Sequence, residues 1–175
     1  MNLILCGMMG SGKTTVGVKI AELTGRRLCD TDGMIVEKYG PISDIFERFG
    51  EDYFRKLETQ AVKTLVQTDG LVVSTGGGLV LNKENVATLK ENGKIVFLRA
   101  KLDTLAERLS ADTTRPLLQT AESLRHRLQA LLSARMPIYE SVADCIVDVD
   151  KKSVAEIAIE IVSWMEDKTD GAGTR

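Results

Sequence analysis

Apolar residues occur along this chain in short runs that are separated by longer stretches of mixed polarity. Five of these runs have the length and composition of strands and cover Asn2–Cys6, Arg27–Asp30, Leu71–Thr75, Lys94–Leu98 and Asp144–Val149. A continuous apolar run, rather than a strict alternation with polar residues, is typical of strands that are buried on both faces. We therefore predict five strands.

The stretches between these strands carry apolar residues at helical spacing. They predict helices over residues 16–23, 34–68, 83–92, 102–110, 122–139 and 154–165. We expect interruptions at Gly40-Pro41, Gly50 and Pro137, because glycine and proline disfavour a continuous helix. Ser43 and Asn82 are the predicted N-caps of the helical segments that follow them.

Strands that alternate with helices predict an α/β fold. We expect a three-layer sandwich in which a five-stranded, mainly parallel sheet has helices on both faces. A length of 175 residues fits a single domain over residues 1–175 with a substantial core. The polar segment at residues 167–175 is expected to form a frayed tail.

The segment Gly7–Thr15 joins the first predicted strand to the first predicted helix and matches the pattern G-x-x-x-x-G-K-[ST]. This pattern is the phosphate-binding P-loop, in which backbone N–H groups and a helix N-terminus hold the phosphates. An ordinary glycine turn is the alternative, but the flanking strand and helix favour a nucleotide site. The candidate binding residues are Gly10, Ser11, Gly12, Lys13, Thr14 and Thr15. Lys13 is placed for the β and γ oxygens, and the Thr14 hydroxyl for Mg²⁺.

Two aspartates, Asp30 and Asp32, end the second predicted strand. Residues two apart in an extended chain point to the same side, so both carboxylates can face one site at the carboxyl end of the sheet. Phosphoryl transfer needs one carboxylate near hydrated Mg²⁺ and another that orients the attacking oxygen or accepts its proton. A helix N-cap is the alternative for an aspartate at a strand-to-helix junction.

Further along the chain, a helical segment places Arg55 and Glu58 three residues apart, and the third strand is followed by Gly76-Gly77-Gly78. The pair is either a surface ion pair or a guanidinium that Glu58 holds toward a substrate carboxylate. Three glycines at the end of a strand indicate a backbone that something approaches closely.

A polar, proline-bearing stretch lies between two predicted helices and gives a candidate lid over residues 109–121. Arg115 in this stretch could deliver positive charge to the transferring phosphoryl group, whereas a solvated loop arginine is the alternative. No second arginine occurs between Leu109 and Arg115, so the adenine contacts are not assigned.

Composition excludes several classes of partner. A net charge of −2 and a pI near 5.6 disfavour nucleic-acid and anionic-membrane binding. No apolar run is long enough to span a bilayer, and the N-terminus does not resemble a signal peptide, so we expect a cytoplasmic protein. Cys6, Cys29 and Cys145 are expected as buried core residues rather than disulfides. The single histidine, His126, excludes a histidine-based metal cluster and is expected on a solvated helix face.

Taken together, these motifs resemble those of the shikimate kinase family, a branch of the P-loop proteins that are similar to nucleoside-monophosphate kinases. The similarity runs from Leu3 to about Asp148. After the P-loop it rests on segments that read D-T-D (30–32), F-R-K-L-E (54–58), T-G-G-G (75–78), T-R-P-L-L (114–118) and R-M-P-I-Y (135–139).

The resemblance implies ATP-dependent phosphorylation of the 3-hydroxyl of shikimate, in the pathway to chorismate and the aromatic amino acids. On the nucleotide side it implies that Thr14 and Asp30 serve Mg²⁺, the latter through water. It also implies that Arg115 comes from the lid to the ATP phosphates beside Lys13, so that Lys13 and Arg115 are both catalytic.

On the acceptor side, the resemblance implies a substrate-binding insertion over about residues 31–60. Asp32 would bind the substrate hydroxyls and act as the base. Arg55 and Arg135 would bind the shikimate carboxylate, and Gly77 would contact the substrate through its backbone. We expect the protein to act as a monomer with ATP and shikimate as its partners.

Three other readings compete with this one. A gluconate or nucleotide kinase would share the P-loop and the lid, but would not need the two arginines with the glycine triplet. A GTPase would explain Asp30-Thr31-Asp32-Gly33 as D-x-x-G, but leaves little room for a switch segment after Thr15, and Asn85 replaces the aspartate that reads guanine. A non-catalytic ATP-binding module would not need both Lys13 and Asp32.

Overall fold

The computed structural model describes the backbone of residues 1–110 and 121–170, with side chains for residues 1–110 and 124–167. Its strands are β1 (Asn2–Cys6), β2 (Arg27–Asp30), β3 (Leu71–Ser74), β4 (Gly93–Arg99) and β5 (Cys145–Asp148). Its helices are α1 (Lys13–Thr24), α2 (Thr31–Tyr39), α3 (Ile42–Leu65), α4 (Lys83–Glu91), α5 (Leu102–Ser110), α6 (Ala121–Val142) and α7 (Val154–Asp170). A short 3₁₀ turn covers Leu79–Leu81. The five predicted strands are confirmed.

The strands form one parallel sheet in the order β2-β3-β1-β4-β5. Parallel connections in one sheet are right-handed, so the direction of each crossover decides which face its helix covers. The connection through α1 runs from β1 toward the β2 edge of the sheet, whereas the connections through α3, α4 and α6 run toward the β5 edge. Helix α1 therefore lies on one face of the sheet, and α3, α4 and α6 lie on the other. Helix α7 packs against α1. The predicted three-layer α/β architecture is confirmed.

The strand order brings three sequence motifs to one edge of the sheet. Strand β1 leads into the P-loop and lies beside β3, with Leu5 opposite Ser74. Strand β3 leads into the glycine triplet and lies beside β2, with Asp30 opposite Ser74. Because the carboxyl ends of parallel strands meet at one edge, the P-loop, the aspartates and the glycines become neighbours.

Two hydrophobic clusters hold this arrangement in place. The larger one surrounds the central strand, where Leu3, Ile4 and Leu5 have no exposed surface. A separate cluster joins α2 to α3 and consists of Ile35, Ile45, Phe54, Leu57 and Ala61. The segment that carries Arg55 is therefore held to α2 by apolar contacts of its own.

Two of the predicted helix boundaries are wrong, and one predicted interruption is confirmed. Ser43 is not an N-cap, because α3 begins at Ile42 after Pro41, and the Ser43 hydroxyl donates to the neighbouring Asp44 carboxylate instead. Gly50 interrupts α3 as expected, with a φ of 79°. Pro137 does not end α6: it lies inside the helix on the exposed surface, where water can reach the carbonyl whose hydrogen bond the proline removes.

The predicted tail at residues 167–175 is wrong in its first part, because α7 continues to Asp170. No glycine or proline interrupts residues 166–170, and the helix therefore extends beyond the turn that buries Met165.

The structure also tests the expectations for the cysteines, for His126 and for membrane-spanning segments. All three cysteines are free, and Cys6 is buried whereas Cys29 and Cys145 are only partly buried. His126 is exposed on α6 as expected. None of the described helices is long and apolar enough to cross a bilayer.

Candidate active site

The P-loop forms a compact turn over the N-terminus of α1. Gly10 and Gly12 have φ angles of 79° and 93°, in the left-handed region that residues with a Cβ rarely adopt. The Lys13 ammonium lies over this turn and donates to the carbonyls of Gly7 and Met8, at 3.0 and 2.9 Å. Burial lowers the pKa of Lys13. The loop thus holds a buried cation close to its own backbone.

Beside the lysine, three oxygen-bearing side chains converge. The Thr14 hydroxyl donates to Asp30 Oδ2 at 2.9 Å and lies 3.0 Å from the Ser74 hydroxyl. Asp30 Oδ1 accepts the backbone N–H of Gly33 and so caps α2. The two readings of Asp30 are therefore compatible, because one carboxylate oxygen caps the helix and the other faces Thr14. Oxygen donors of this kind suit Mg²⁺.

Asp32 extends into the same space. Its Oδ1 is buried and has no hydrogen-bond partner among the described residues. Burial and the nearby Asp30 carboxylate raise the pKa of Asp32, while the charges of Lys13 and Arg55 act in the opposite direction. A buried carboxylate oxygen without a partner is costly, and it is accounted for if a ligand donates to it.

The glycine triplet Gly76-Gly77-Gly78 lies beside three charged side chains, two of which approach its backbone too closely for a Cβ to fit. A Cβ on Gly76 would lie 2.5 Å from Asp32 Oδ1, and one on Gly78 would overlap the Arg55 guanidinium. A Cβ on Gly77 would lie 3.8 Å from Arg135 Nη1. The structure therefore brings Arg55 and Arg135, which are far apart in sequence, to consecutive glycines of one loop.

Arg55 is held in place by two glutamates. Its Nη1 donates to Glu58 Oε2 at 2.8 Å and its Nη2 to Glu51 Oε1 at 2.6 Å. Glu58 is only 1% exposed, and burial raises its pKa. The other Glu58 oxygen, Oε1, is also buried without a partner among the described residues. The interaction of Arg55 with Glu58 is thus a largely buried contact rather than a solvated surface pair.

Most of the predicted nucleotide residues line one open cleft of about 420 Å³. Its walls include Lys13, Thr14, Asp30, Asp32 and Gly77, whereas Arg55 and Arg135 are not among its lining residues. A larger cleft of about 650 Å³ lies between α6 and the carboxyl ends of β4 and β5, and none of the predicted site residues lines it. The smaller cleft is the candidate active site because it carries the P-loop and both aspartates.

Two neighbours of the loops were not among the predicted site residues. The exposed Arg108 in the last turn of α5 donates from Nη1 to the carbonyls of Gly10 and Ser11, at 3.2 Å each. Its position just before the predicted lid was the only signal in the sequence. The buried Tyr139 donates its hydroxyl to the Gly77 carbonyl at 2.6 Å.

Arg115, with most of the predicted lid, lies outside the described residues.

The chain is similar to known proteins in sequence and in fold. The shikimate kinase family model matches residues 9–166. Shikimate kinases from Actinobacillus pleuropneumoniae and Caldicellulosiruptor bescii are 40% and 42% identical and align over 94% and 93% of this chain and 95% and 94% of their own. A solved shikimate kinase from Acinetobacter baumannii, in complex with shikimate, is 37% identical, with a TM-score of 0.87 over 95% of this chain and 93% of that one. The chain therefore belongs to the shikimate kinase family.

Proposed function

We propose that this protein transfers the γ-phosphoryl group of ATP to the 3-hydroxyl of shikimate, giving shikimate 3-phosphate and ADP. The observation that carries the proposal is the joint placement of a P-loop, an unpartnered Asp32 oxygen and two arginines around one glycine loop. Shikimate is a small acid with several hydroxyls. Its carboxylate matches the arginines, and its hydroxyls match the aspartate.

On the nucleotide side, residues 10–15 would bind the ATP phosphates through backbone N–H groups, and Lys13 would exchange its carbonyl partners for the β and γ oxygens. Thr14 and, through water, Asp30 would hold Mg²⁺. When bound, this ion neutralises charge on the transferring phosphoryl group. Among the described residues, no group of three or more Asp, Glu, His or Cys side chains converges. Mg²⁺ held mainly by phosphates and water does not require one.

On the acceptor side, Arg55 and Arg135 would bind the carboxylate of shikimate. The two guanidinium groups lie next to consecutive glycines of the triplet. The backbone of Gly77 lies close to the P-loop as well, because a Cβ added to it would be 3.6 Å from the Gly7 carbonyl oxygen. A substrate held here has its hydroxyls toward Asp32. The arrangement supplies proximity, which is the main contribution a protein makes to phosphoryl transfer.

In the chemical step, the 3-hydroxyl oxygen attacks the γ-phosphorus and the bond from that phosphorus to the β-γ bridging oxygen breaks. Asp32 accepts the hydroxyl proton, and ADP leaves with the electron pair of the broken bond. Lys13 stabilises the charge that develops on the phosphoryl oxygens, and we assign the same role to Arg115 on the resemblance alone.

We further propose that the functional unit is a monomer, because a single chain supplies the P-loop, both aspartates and both arginines. An ATP-consuming biosynthetic reaction also fits the cytoplasm, where ATP is available.

Measurement of ADP release with shikimate, gluconate and nucleoside monophosphates as alternative acceptors tests the proposal. We expect turnover with shikimate and ³¹P signals of one phosphorylated product that matches the ADP released. Turnover on gluconate or a nucleotide, but not on shikimate, would identify a different small-molecule kinase.

A further inference from the structure

The hydroxyl of Tyr139 connects the P-loop to the glycine triplet (Gly76-Gly77-Gly78). The residue has no exposed surface and lies one helical turn after Arg135 on α6. Its hydroxyl lies 2.6 Å from the Gly77 carbonyl and 3.8 Å from the Met8 sulfur of the P-loop. One buried hydroxyl therefore contacts the glycine triplet and the P-loop at the same time.

The tyrosine ring itself is fixed in position. It stacks on Phe97 of β4 with the ring centroids 5.0 Å apart and an interplanar angle of 28°. A ring that is packed against the central sheet gives the hydroxyl a defined place, so the glycine loop takes its position from the core through this contact.

Two side-chain hydroxyls hold the glycine loop in place, one at each of two successive residues. The Thr31 hydroxyl, also fully buried, accepts the N–H of Gly76 at 3.0 Å, and Tyr139 donates to the carbonyl of Gly77. Thr31 lies in the first turn of α2 and Tyr139 in the last turns of α6. Two helices from different parts of the chain thus fix the backbone that Arg55 and Arg135 approach.

We propose that Tyr139 is a positioning residue for the acceptor site, which holds Gly77 and Arg135 in register with the P-loop. This inference rests on the proposed function. Without the hydroxyl, the Gly77 carbonyl loses its buried partner and the loop is free to move relative to α6. Arg55 and Arg135 are then no longer aligned to bind the shikimate carboxylate. The P-loop, in contrast, keeps the hydrogen bonds from Lys13 to its own carbonyls.

The test is Tyr139→Phe, which retains the ring and removes only the hydroxyl. We expect the shikimate KM to rise about tenfold, which corresponds to about 1.4 kcal/mol, while the ATP KM changes by less than about twofold. Tyr39→Phe is the matched control, because it removes a tyrosine hydroxyl bond to Gln60 outside the cleft. It should leave both KM values unchanged.

A second control separates positioning from stability. Leu128 is buried on the same helix, and Leu128→Val should lower the melting temperature without raising the shikimate KM. If Tyr139→Phe lowers the melting temperature but leaves the shikimate KM unchanged, the hydroxyl is structural and the inference is wrong. Equal increases in both KM values would also overturn it. Failure of the unmodified protein to phosphorylate shikimate would instead refute the proposed function.

Discussion

Replacement of Arg55 by alanine tests whether the guanidinium binds substrate or only stabilises its helix. The change removes a side chain that is 31% exposed and lies against Gly78, and it leaves Glu58, which is 1% exposed, without its ion-pair partner. It therefore has two separable consequences, one for shikimate binding and one for folding.

The size of each consequence follows from the contacts. A hydrogen bond to a charged group contributes about 1.5–3 kcal/mol, so loss of the carboxylate contact should raise the shikimate KM about 10- to 150-fold. Removal of one partner from a fully buried ion pair costs about 3–5 kcal/mol in the free energy of unfolding. Because Arg55 is partly exposed, solvent reduces this cost, and we expect about 1–2 kcal/mol.

The double variant Arg55→Ala/Glu58→Gln separates these effects. A neutral amide at position 58 removes the unpaired buried charge, so most of the lost stability should return while the shikimate KM stays high. The control Lys56→Ala removes a neighbouring exposed cation from the same helix and should leave both quantities nearly unchanged. Steady-state kinetics and chemical denaturation supply the measurements. Equal increases in the KM for shikimate and for ATP would refute the carboxylate assignment.

Three further changes test the other parts of the site. Asp32→Asn should lower kcat by about 10²- to 10⁴-fold, as expected for loss of a general base, and an unchanged kcat in the same ADP-release assay would remove Asp32 from the catalytic residues. Asp30→Asn should raise the Mg²⁺ concentration that gives half-maximal rate, and a Mg²⁺ titration at saturating ATP that matches the unmodified protein would contradict its metal role. Gly76→Ala should impair both folding and turnover because the new methyl group would collide with Asp32. Gly33→Ala, whose methyl group would meet its nearest atom at 3.6 Å, serves as the control in thermal unfolding, and equal losses in the two variants would contradict the steric argument.

Local sequence patterns were sufficient for the strands and for the P-loop, because both depend on short-range composition. Strand β1 and the loop after it are consecutive in the chain, so their relation needs no tertiary information. The order of the strands in the sheet is different, since it depends on which crossover passes over which neighbour. It is this order that places Asp30 and Ser74 beside the P-loop.

The errors arose where tertiary environment decides local structure. Pro137 removes one helix hydrogen bond, and on the exposed surface of α6 water can replace it, so the helix continues. Likewise, whether Arg55 and Glu58 form a solvated surface pair depends on what covers Glu58 in the fold. Arg108 and Tyr139 could not be assigned from spacing, because their partners are backbone carbonyls about 98 and 62 residues away in the chain.

The most direct test of the account is a crystal structure of the protein with ADP, Mg²⁺ and shikimate. The account predicts the shikimate carboxylate between Arg55 and Arg135, and the 3-hydroxyl oxygen within about 3.2 Å of an Asp32 carboxylate oxygen, facing the β-phosphate. Shikimate bound with its carboxylate away from both arginines, or with the 3-hydroxyl out of reach of Asp32, would contradict it.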